Sequence, residues 1–406
     1  MFSRLSPKFR RADQPGLTLV IIIAVTISLS STAEANWRVL PSIGIGFEYD
    51  DNANLVPDSA ADTSVNGYLL DAEAQFVYET QLTSFSIVPS VLLTRFDESQ
   101  LDSEDFFLDL VYKYAGQRST FEMWGVYGDE SVRTAERANV DLDVDDPEQI
   151  PDDNSGRVLF NEDRQRFQFR PRWSVKSGER SSIRIGAKYV DVSYDNSVSQ
   201  FLTDYSQTTG DATFEFEVSE RAALSLSGFY RENEFSTLNS DFSGYGATVG
   251  LNRSLSERTT FKANVGAEST EDDFGVDETH TIGDLSITHK SQTSRVLASY
   301  RRSISGSGSG VLAERDSFDL NFTRRLSPKV SIGAGLTAYS TSALDAASAS
   351  VEDRDYFQLR ARLSRDLTRA LSIDLDYRFT KIDREISSTD VDSNRIDLWF
   401  RYSPRR

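Results

Sequence analysis

Arg166-Phe167-Gln168-Phe169-Arg170-Pro171-Arg172-Trp173-Ser174-Val175 changes polarity at almost every step. Successive side chains of an extended chain point to opposite faces. Phe167, Phe169, Pro171, Trp173 and Val175 therefore fall on one side, and Arg166, Gln168, Arg170 and Arg172 on the other. The pattern recurs in both directions. Ile43, Ile45, Phe47 and Tyr49 alternate near the start, and Ala212, Phe214, Phe216 and Val218 in the middle. Near the end, Ile373, Leu375, Tyr377 and Phe379 alternate with Asp374, Asp376 and Arg378. Alternation over about eight to ten residues predicts strands with one wet and one dry face. From Trp37 onward no stretch carries the three-and-four spacing of an amphipathic helix.

Between these runs one short turn repeats. Val218-Ser219-Glu220-Arg221, Leu255-Ser256-Glu257-Arg258 and Leu326-Ser327-Pro328-Lys329 match closely, and Leu367-Thr368-Arg369 is a partial copy. Weaker turns fall at 79–83, 115–118, 176–180 and 290–293. The opposite connections are longer and acidic, at 50–66, 97–105, 131–163, 195–204, 232–240, 269–278, 305–314, 341–353 and 382–392. Eight turns join sixteen strands, and a first strand over Val39–Tyr49 with a last over Arg395–Tyr402 makes eighteen. Sixteen follows instead if the weakly patterned pair around Thr279–Ser303 is not a hairpin.

Composition narrows the function. The 406 residues carry 44 Lys and Arg against 63 Asp and Glu, a net charge of −19. A general nucleic-acid binder needs a basic face, so that class is set aside. There is no Cys, which removes disulfides, thiolate metal sites and Cys nucleophiles. The first 35 residues read as a signal peptide. Arg4, Lys8, Arg10 and Arg11 precede an apolar run over Leu17–Leu29, and Ala33-Glu34-Ala35 supplies the cleavage signal. The run is too short for a bilayer span, which takes about 20 residues. Residues 36–406 then form one domain, exported and able to enter a membrane only through strands.

A soluble β-sandwich shares the two-residue period. Two features favour a barrel: every strand keeps a polar face, and Tyr49, Tyr68, Tyr78, Tyr114, Tyr127, Tyr189, Tyr230, Tyr377 and Tyr402 lie near strand ends, as interfacial girdles do. Short turns at one end and long loops at the other are the asymmetry of outer-membrane barrels. The reading is an all-β, antiparallel up-and-down transmembrane β-barrel of eighteen strands in a Gram-negative outer membrane. Its turns are periplasmic and its long acidic loops extracellular.

The first strand running into Tyr49-Asp50-Asp51-Asn52, the repeated Leu-Ser-Glu-Arg turns and the alternation over the whole domain carry a resemblance. The chain resembles the outer-membrane β-barrel proteins of exopolysaccharide and PEP-CTERM gene clusters, the beta-barrel porin 2 type. The resemblance implies a role in exopolysaccharide export, with a polysaccharide and periplasmic export components as partners. One departure is the tail Ser403-Pro404-Arg405-Arg406 after Phe400 and Tyr402, where barrel chains usually end on an aromatic residue. From the residues alone, the alternatives are a general diffusion porin for small hydrophilic solutes and a structural surface barrel whose loops bind partners. The barrel assembly machinery, outer-membrane lipid and lipopolysaccharide are expected partners in each case, and no cofactor is expected.

Aqueous chemistry has to use the inward face. Arg166, Arg170 and Arg172 share that face on the sixth strand, Arg360 and Arg362 on the sixteenth, and Arg395 and Arg401 on the eighteenth. Glu215, Glu217, Asp374, Asp376 and Asp397 point the same way, so these twelve are the candidate pore-lining residues. They either set a transverse field for a solute or pair across strands to hold register. Asp141, Asp143 and Asp145 in the longest loop have the spacing of calcium ligands, but Asp146 stands where a loop Gly is required and Asp152 where a bidentate Glu is required. That loop is read as an acidic surface loop, with folding into the lumen as the other option. His280 and His289, the only histidines, sit in no catalytic motif, and no enzyme is expected. Gly306-Ser307-Gly308-Ser309-Gly310 reads as a flexible loop tip.

Overall fold

The computed structural model describes residues 37–56, 64–135, 142, 162–195, 202–236, 241–272, 277–306, 308, 310–344, 354–384 and 391–404. The signal-peptide segment 1–35 and the calcium candidates Asp141, Asp143 and Asp145 lie outside them. The strands are β1 (Trp37–Asp50), β2 (Val65–Glu79), β3 (Thr83–Phe96), β4 (Ser103–Ala115), β5 (Ser119–Ser131) and β6 (Asp163–Lys176). Then come β7 (Ser181–Tyr194), β8 (Tyr205–Ser219), β9 (Ala222–Phe235), β10 (Phe242–Ser256), β11 (Thr259–Asp272) and β12 (Asp277–Lys290). The last six are β13 (Ser294–Gly306), β14 (Leu312–Ser327), β15 (Val330–Ala343), β16 (Arg354–Asp366), β17 (Leu371–Arg384) and β18 (Val391–Tyr402). A single helical turn, α1, covers Val132–Ala135.

Each strand pairs antiparallel with its sequence neighbours, and β1 also pairs with β18 from Ile43↔Tyr402 to Asp50↔Arg395. The result is a closed 18-stranded barrel with no open edge. The doubtful pair is real: β12 and β13 form a hairpin, with eight register partners from Gly283↔Arg302 to Lys290↔Arg295. β1 starts two residues before the expected Val39, and β18 begins at Val391 rather than Arg395. β1 is thus longer at its turn end, where Trp37 pairs with Tyr78, and β18 at its loop end, where Val391 pairs with Ile382.

The seam explains the Tyr49–Asn52 motif. Asp51 accepts from the backbone N–H and the side-chain amide of Asn394, at 2.6 and 2.8 Å. Asp50 accepts from Ser393 Oγ at 2.8 Å, and Asn52 Nδ2 donates to the Asp392 carbonyl at 2.8 Å. Three consecutive polar residues thus tie the first strand to the last.

The repeated turn has its own local cause. In the three close copies Ser219, Ser256 and Ser327 each accept, through Oγ, the N–H two residues on, at 3.3, 3.2 and 3.3 Å. This is a serine turn, which gives the backbone a hydrogen bond the ladder no longer supplies. The register slips by one residue at the same place, leaving Val218, Leu255 and Leu326 unpaired. Those three side chains are exposed on the outside, close to the turns.

Polarity is inverted relative to a soluble protein, and this decides against a sandwich. Val265, Ile45 and Leu226 are 62%, 61% and 58% exposed, whereas Asp397, Glu48 and Asp376 are 0%, 1% and 3% exposed. All nine tyrosines named from the sequence lie on the outward parity of their strands, paired with outward neighbours such as Trp37 with Tyr78, 5.1 Å between ring centroids. The exterior is that of a barrel spanning a bilayer.

Candidate functional site

The inner wall of β16, β17, β18 and β1 carries a continuous ion network. Cross-strand pairing puts Arg360 beside Arg378, Arg362 beside Asp376, and Asp376 beside Asp397. Two facing acids are tolerated because arginines fill the spaces around them. Asp376 accepts from Arg360 at 2.6 Å and Arg362 at 2.9 Å, with Arg378 at 3.4 Å. Arg395 links Asp397 at 3.0 Å to Glu48 at 2.6 Å. Lower down, Arg401 reaches Asp71 at 3.1 Å and Asp374 at 3.5 Å. Its guanidinium lies 4.8 Å from the Trp399 ring centroid. Trp399 lies flat on the wall because β1 offers no side chain there. A Cβ on Gly46 would stand 2.8 Å from the indole.

Loops fold into this lumen. At the foot of the longest connection, Ser131 N–H and Thr134 Oγ1 donate to the two carboxylate oxygens of Asp105, at 2.9 and 3.2 Å. This directs α1 inward. Arg133 of α1 then meets Glu48 at 2.9 Å and Asp50 at 3.3 Å, donates to the Ala53 carbonyl and stacks 4.8 Å over Phe96. Leu142, further along the same connection, is buried against β15, where a Cβ on Gly333 would lie 2.7 Å from its Cδ1. The connection therefore enters the lumen at both described points, and the surface-loop reading is corrected for these residues. The acid count suggested solvent, but Val132, Arg133 and Leu142 carry the local contacts.

The β1–β2 loop does the same. Leu55, at φ 48°, is buried among Tyr339, Tyr356, Ile382 and Val391. A non-glycine residue in that region is held there only by its surroundings. On the other wall, Gly308 packs against Tyr194, and its carbonyl accepts from Thr203 N–H at 2.7 Å. Arg231 donates to the Ile304 carbonyl and pairs with Glu268 at 2.7 Å. The glycine-serine segment expected to be a free tip is thus an inward contact at Gly308. A Cβ there would meet the Tyr194 hydroxyl and displace it, so glycine lets the segment approach this wall closely.

Between the wall and α1 lies a cavity of about 540 Å³. Six of the twelve sequence candidates line it: Arg360, Arg362, Asp374, Asp376, Arg395 and Arg401. Asp397 is buried among Arg378, Arg395 and Glu48. Arg166, Arg170 and Arg172 face inward on β6, with Arg166 donating to Gln168 at 2.6 Å, away from this cavity. Glu215 and Glu217 sit at the turn end of β8. Glu48, Asp50, Arg133 and Arg378 were not among the candidates. The parity of Gly44, Gly46, Glu48 and Asp50 contained the first two, and Arg378 continued a row already recognised. Nothing periodic marks Arg133.

Asp374 and Asp376 are held by arginines, and His289 Nδ1 is 2.9 Å from Thr259 Oγ1. Among the described residues no group of three or more His, Asp or Glu is placed to hold a metal ion.

No protein-family model matches the chain, and no curated protein is similar to it. Solved structures with similar overall architecture include Pseudomonas aeruginosa OccK3 (OpdO), 13% identical with TM-score 0.42, covering 90% of this chain and 96% of that one. A BenF-like porin from Pseudomonas fluorescens Pf-5 is 12% identical with TM-score 0.47, covering 91% and 99%. The outer membrane protein opdK from Pseudomonas aeruginosa is 12% identical with TM-score 0.44, covering 90% and 99%.

Proposed function

We propose that this chain is an outer-membrane channel for small hydrophilic solutes, with a preference for anions. One observation carries the reading: short carboxylates lie against the wall while longer arginines reach over them. Side-chain exposure is 1% for Glu48, 1% for Asp397 and 4% for Asp376, against 38% for Arg401, 28% for Arg362 and 20% for Arg395. The two more open acids, Asp71 and Asp374, are both engaged by Arg401. A solute in the cavity meets mainly guanidinium N–H groups, whose forked geometry suits carboxylate or phosphate. Pore-wall charge of one accessible sign sets ion selectivity.

Export of a polysaccharide, implied by the family resemblance, has weaker support. Three inward loops occupy the lumen where a hydrated polymer has to pass, whereas a small solute needs only the remaining space. The test is a planar bilayer with a KCl gradient across the purified barrel. The reversal potential is expected on the chloride side, and Arg362→Gln with Arg401→Gln moves it toward zero. Cation selectivity in the unaltered barrel, or no conductance at all, defeats the proposal.

A further inference from the structure

The outside of β13–β17 changes character in three registered rows near the loop end. Arg302, Asp316, Ser340, Asp355 and Asp383 stand side by side nearest the loops. One pleat toward the bilayer centre the row is Tyr300, Phe318, Ala338, Phe357 and Lys381. The next contains Leu320, Leu336 and Leu359. The order is charged, aromatic, aliphatic, as expected for a wall running from headgroups into hydrocarbon.

The aromatic row has a gap. Ala338 carries only a methyl group between the rings of Phe318 and Phe357, whose strands are two spacings apart, about 10 Å. A groove of about 460 Å³ opens there, bounded by those rings and by Tyr300, Asp355 and Lys381. The gap continues the bilayer-facing band, so hydrocarbon is its natural filling. Above it the chemistry is specific. Lys381 stands at girdle depth, where a cation extends its stem outward to reach the headgroup level. Asp355 and Asp383 face each other across β16 and β17 and offer only acceptors. Asp316 is already engaged by Tyr300 Oη at 2.6 Å and by Arg302 at 3.4 Å.

We propose that this notch docks a phosphorylated glycolipid of the outer leaflet. One acyl chain lies over Ala338 between Phe318 and Phe357, a phosphate ester meets Lys381, and sugar hydroxyls donate to Asp355 and Asp383. The acids repel a phosphate from the outermost row, which leaves Lys381 as its contact. A choline phospholipid has no donors for the two carboxylates. The proposal rests on the loop end facing the cell exterior and is independent of what the lumen conducts.

The experiment is native mass spectrometry of the full-length mature barrel in mild detergent, with added lipid A or phosphatidylcholine. The unaltered barrel is expected to retain one lipid A and little phosphatidylcholine. Ala338→Phe fills the notch and Lys381→Ser removes the phosphate contact, and each is expected to lower retention about tenfold, the ratio for about 1.4 kcal/mol. Ala212→Phe, on the lipid face of β8, is expected to leave retention unchanged. Heat-dependent gel mobility confirms folding of each variant. Equal retention by Ala338→Phe and Lys381→Ser overturns the proposal, as does equal retention of phosphatidylcholine. A dimer in the unaltered barrel that Ala338→Phe abolishes, with lipid retention unchanged, assigns the notch to a second copy and also overturns it.

Discussion

Arg133→Ala should release α1 from the wall while leaving the barrel closed. The guanidinium serves Glu48 and Asp50, whose side chains are 1% and 0% exposed, and it is itself only 10% exposed. Breaking a buried ion pair by removing one partner costs about 3–5 kcal/mol. The lower end applies, because Glu48 keeps Arg395 and Asp50 keeps the Ser393 hydroxyl. About 3 kcal/mol corresponds to a shift of roughly 100-fold in the population with α1 detached. The Ser131 N–H contact to Asp105 remains, so the root of the loop stays tethered, and the swing of α1 gives up the Thr134 contact to Asp105 as it does in the unaltered chain. The chain has no cysteine, so Ala135→Cys gives a single thiol at a buried position of α1. Its modification by a water-soluble reagent in outer-membrane preparations reports the open population when opening is fast. The rate is expected to rise roughly 100-fold in Arg133→Ala and to a smaller extent in Arg133→Lys, whose ammonium cannot serve two carboxylates in a fork. Equal rates in all three would falsify the assignment of Arg133 as the anchor.

Val249→Arg, at mid-strand on the lipid face of β10, is expected to impair assembly by about 2–4 kcal/mol. The adjacent lumen change Thr248→Arg should be tolerated, and equal loss of the heat-modifiable form in both would show the facing to be wrong. Gly46→Val should force Trp399 off the wall at about 1–3 kcal/mol, read as a lower urea midpoint. Trp399→Ala in the same chain should relieve that clash, and no relief would place the strain elsewhere. Ser256→Ala removes the serine-turn hydrogen bond and the one that Ser256 Oγ donates to Thr259 Oγ1 at 3.1 Å, and should cost about 1–3 kcal/mol; a larger loss would mean that the turn nucleates assembly.

Much of the fold was legible because a barrel strand announces itself twice, by alternation and by its turns. The eight short turns reappear between the strands where they were expected, and even the poorly patterned β12–β13 pair holds its place. Facing was legible too, since parity alone puts Arg360, Asp376 and Asp397 inside. What parity does not carry is register. That Arg362 lies beside Asp376, and Arg395 within reach of Glu48, depends on how strands distant in sequence are staggered. The inward loops were hidden for another reason. Seven acids between Asp141 and Asp153 suggest solvent, yet Arg133 and Leu142 determine where the described residues go. Tyr194, Tyr205, Tyr339 and Tyr356 show the same limit, being inward tyrosines near strand ends that composition alone cannot separate from the girdle.

The seam between β1 and β18 also bears on how the barrel is made. Its side-chain hydrogen bonds join residues as far as 343 positions apart, such as Ser393 with Asp50. Closing so long a loop costs about 2 kcal/mol more entropy than closing a hairpin of about 30 residues. It is also the pairing that closes the barrel, because every other pair joins strands adjacent in sequence. Until then both terminal strands are bare edges, which in water would template association. The Asp50, Asp51 and Asn52 clamp is therefore a commitment step. It adds side-chain hydrogen bonds where backbone pairing begins at the greatest entropic disadvantage. A chain lacking β18 would keep every pairing from β1–β2 to β16–β17 and still remain an open, adhesive sheet.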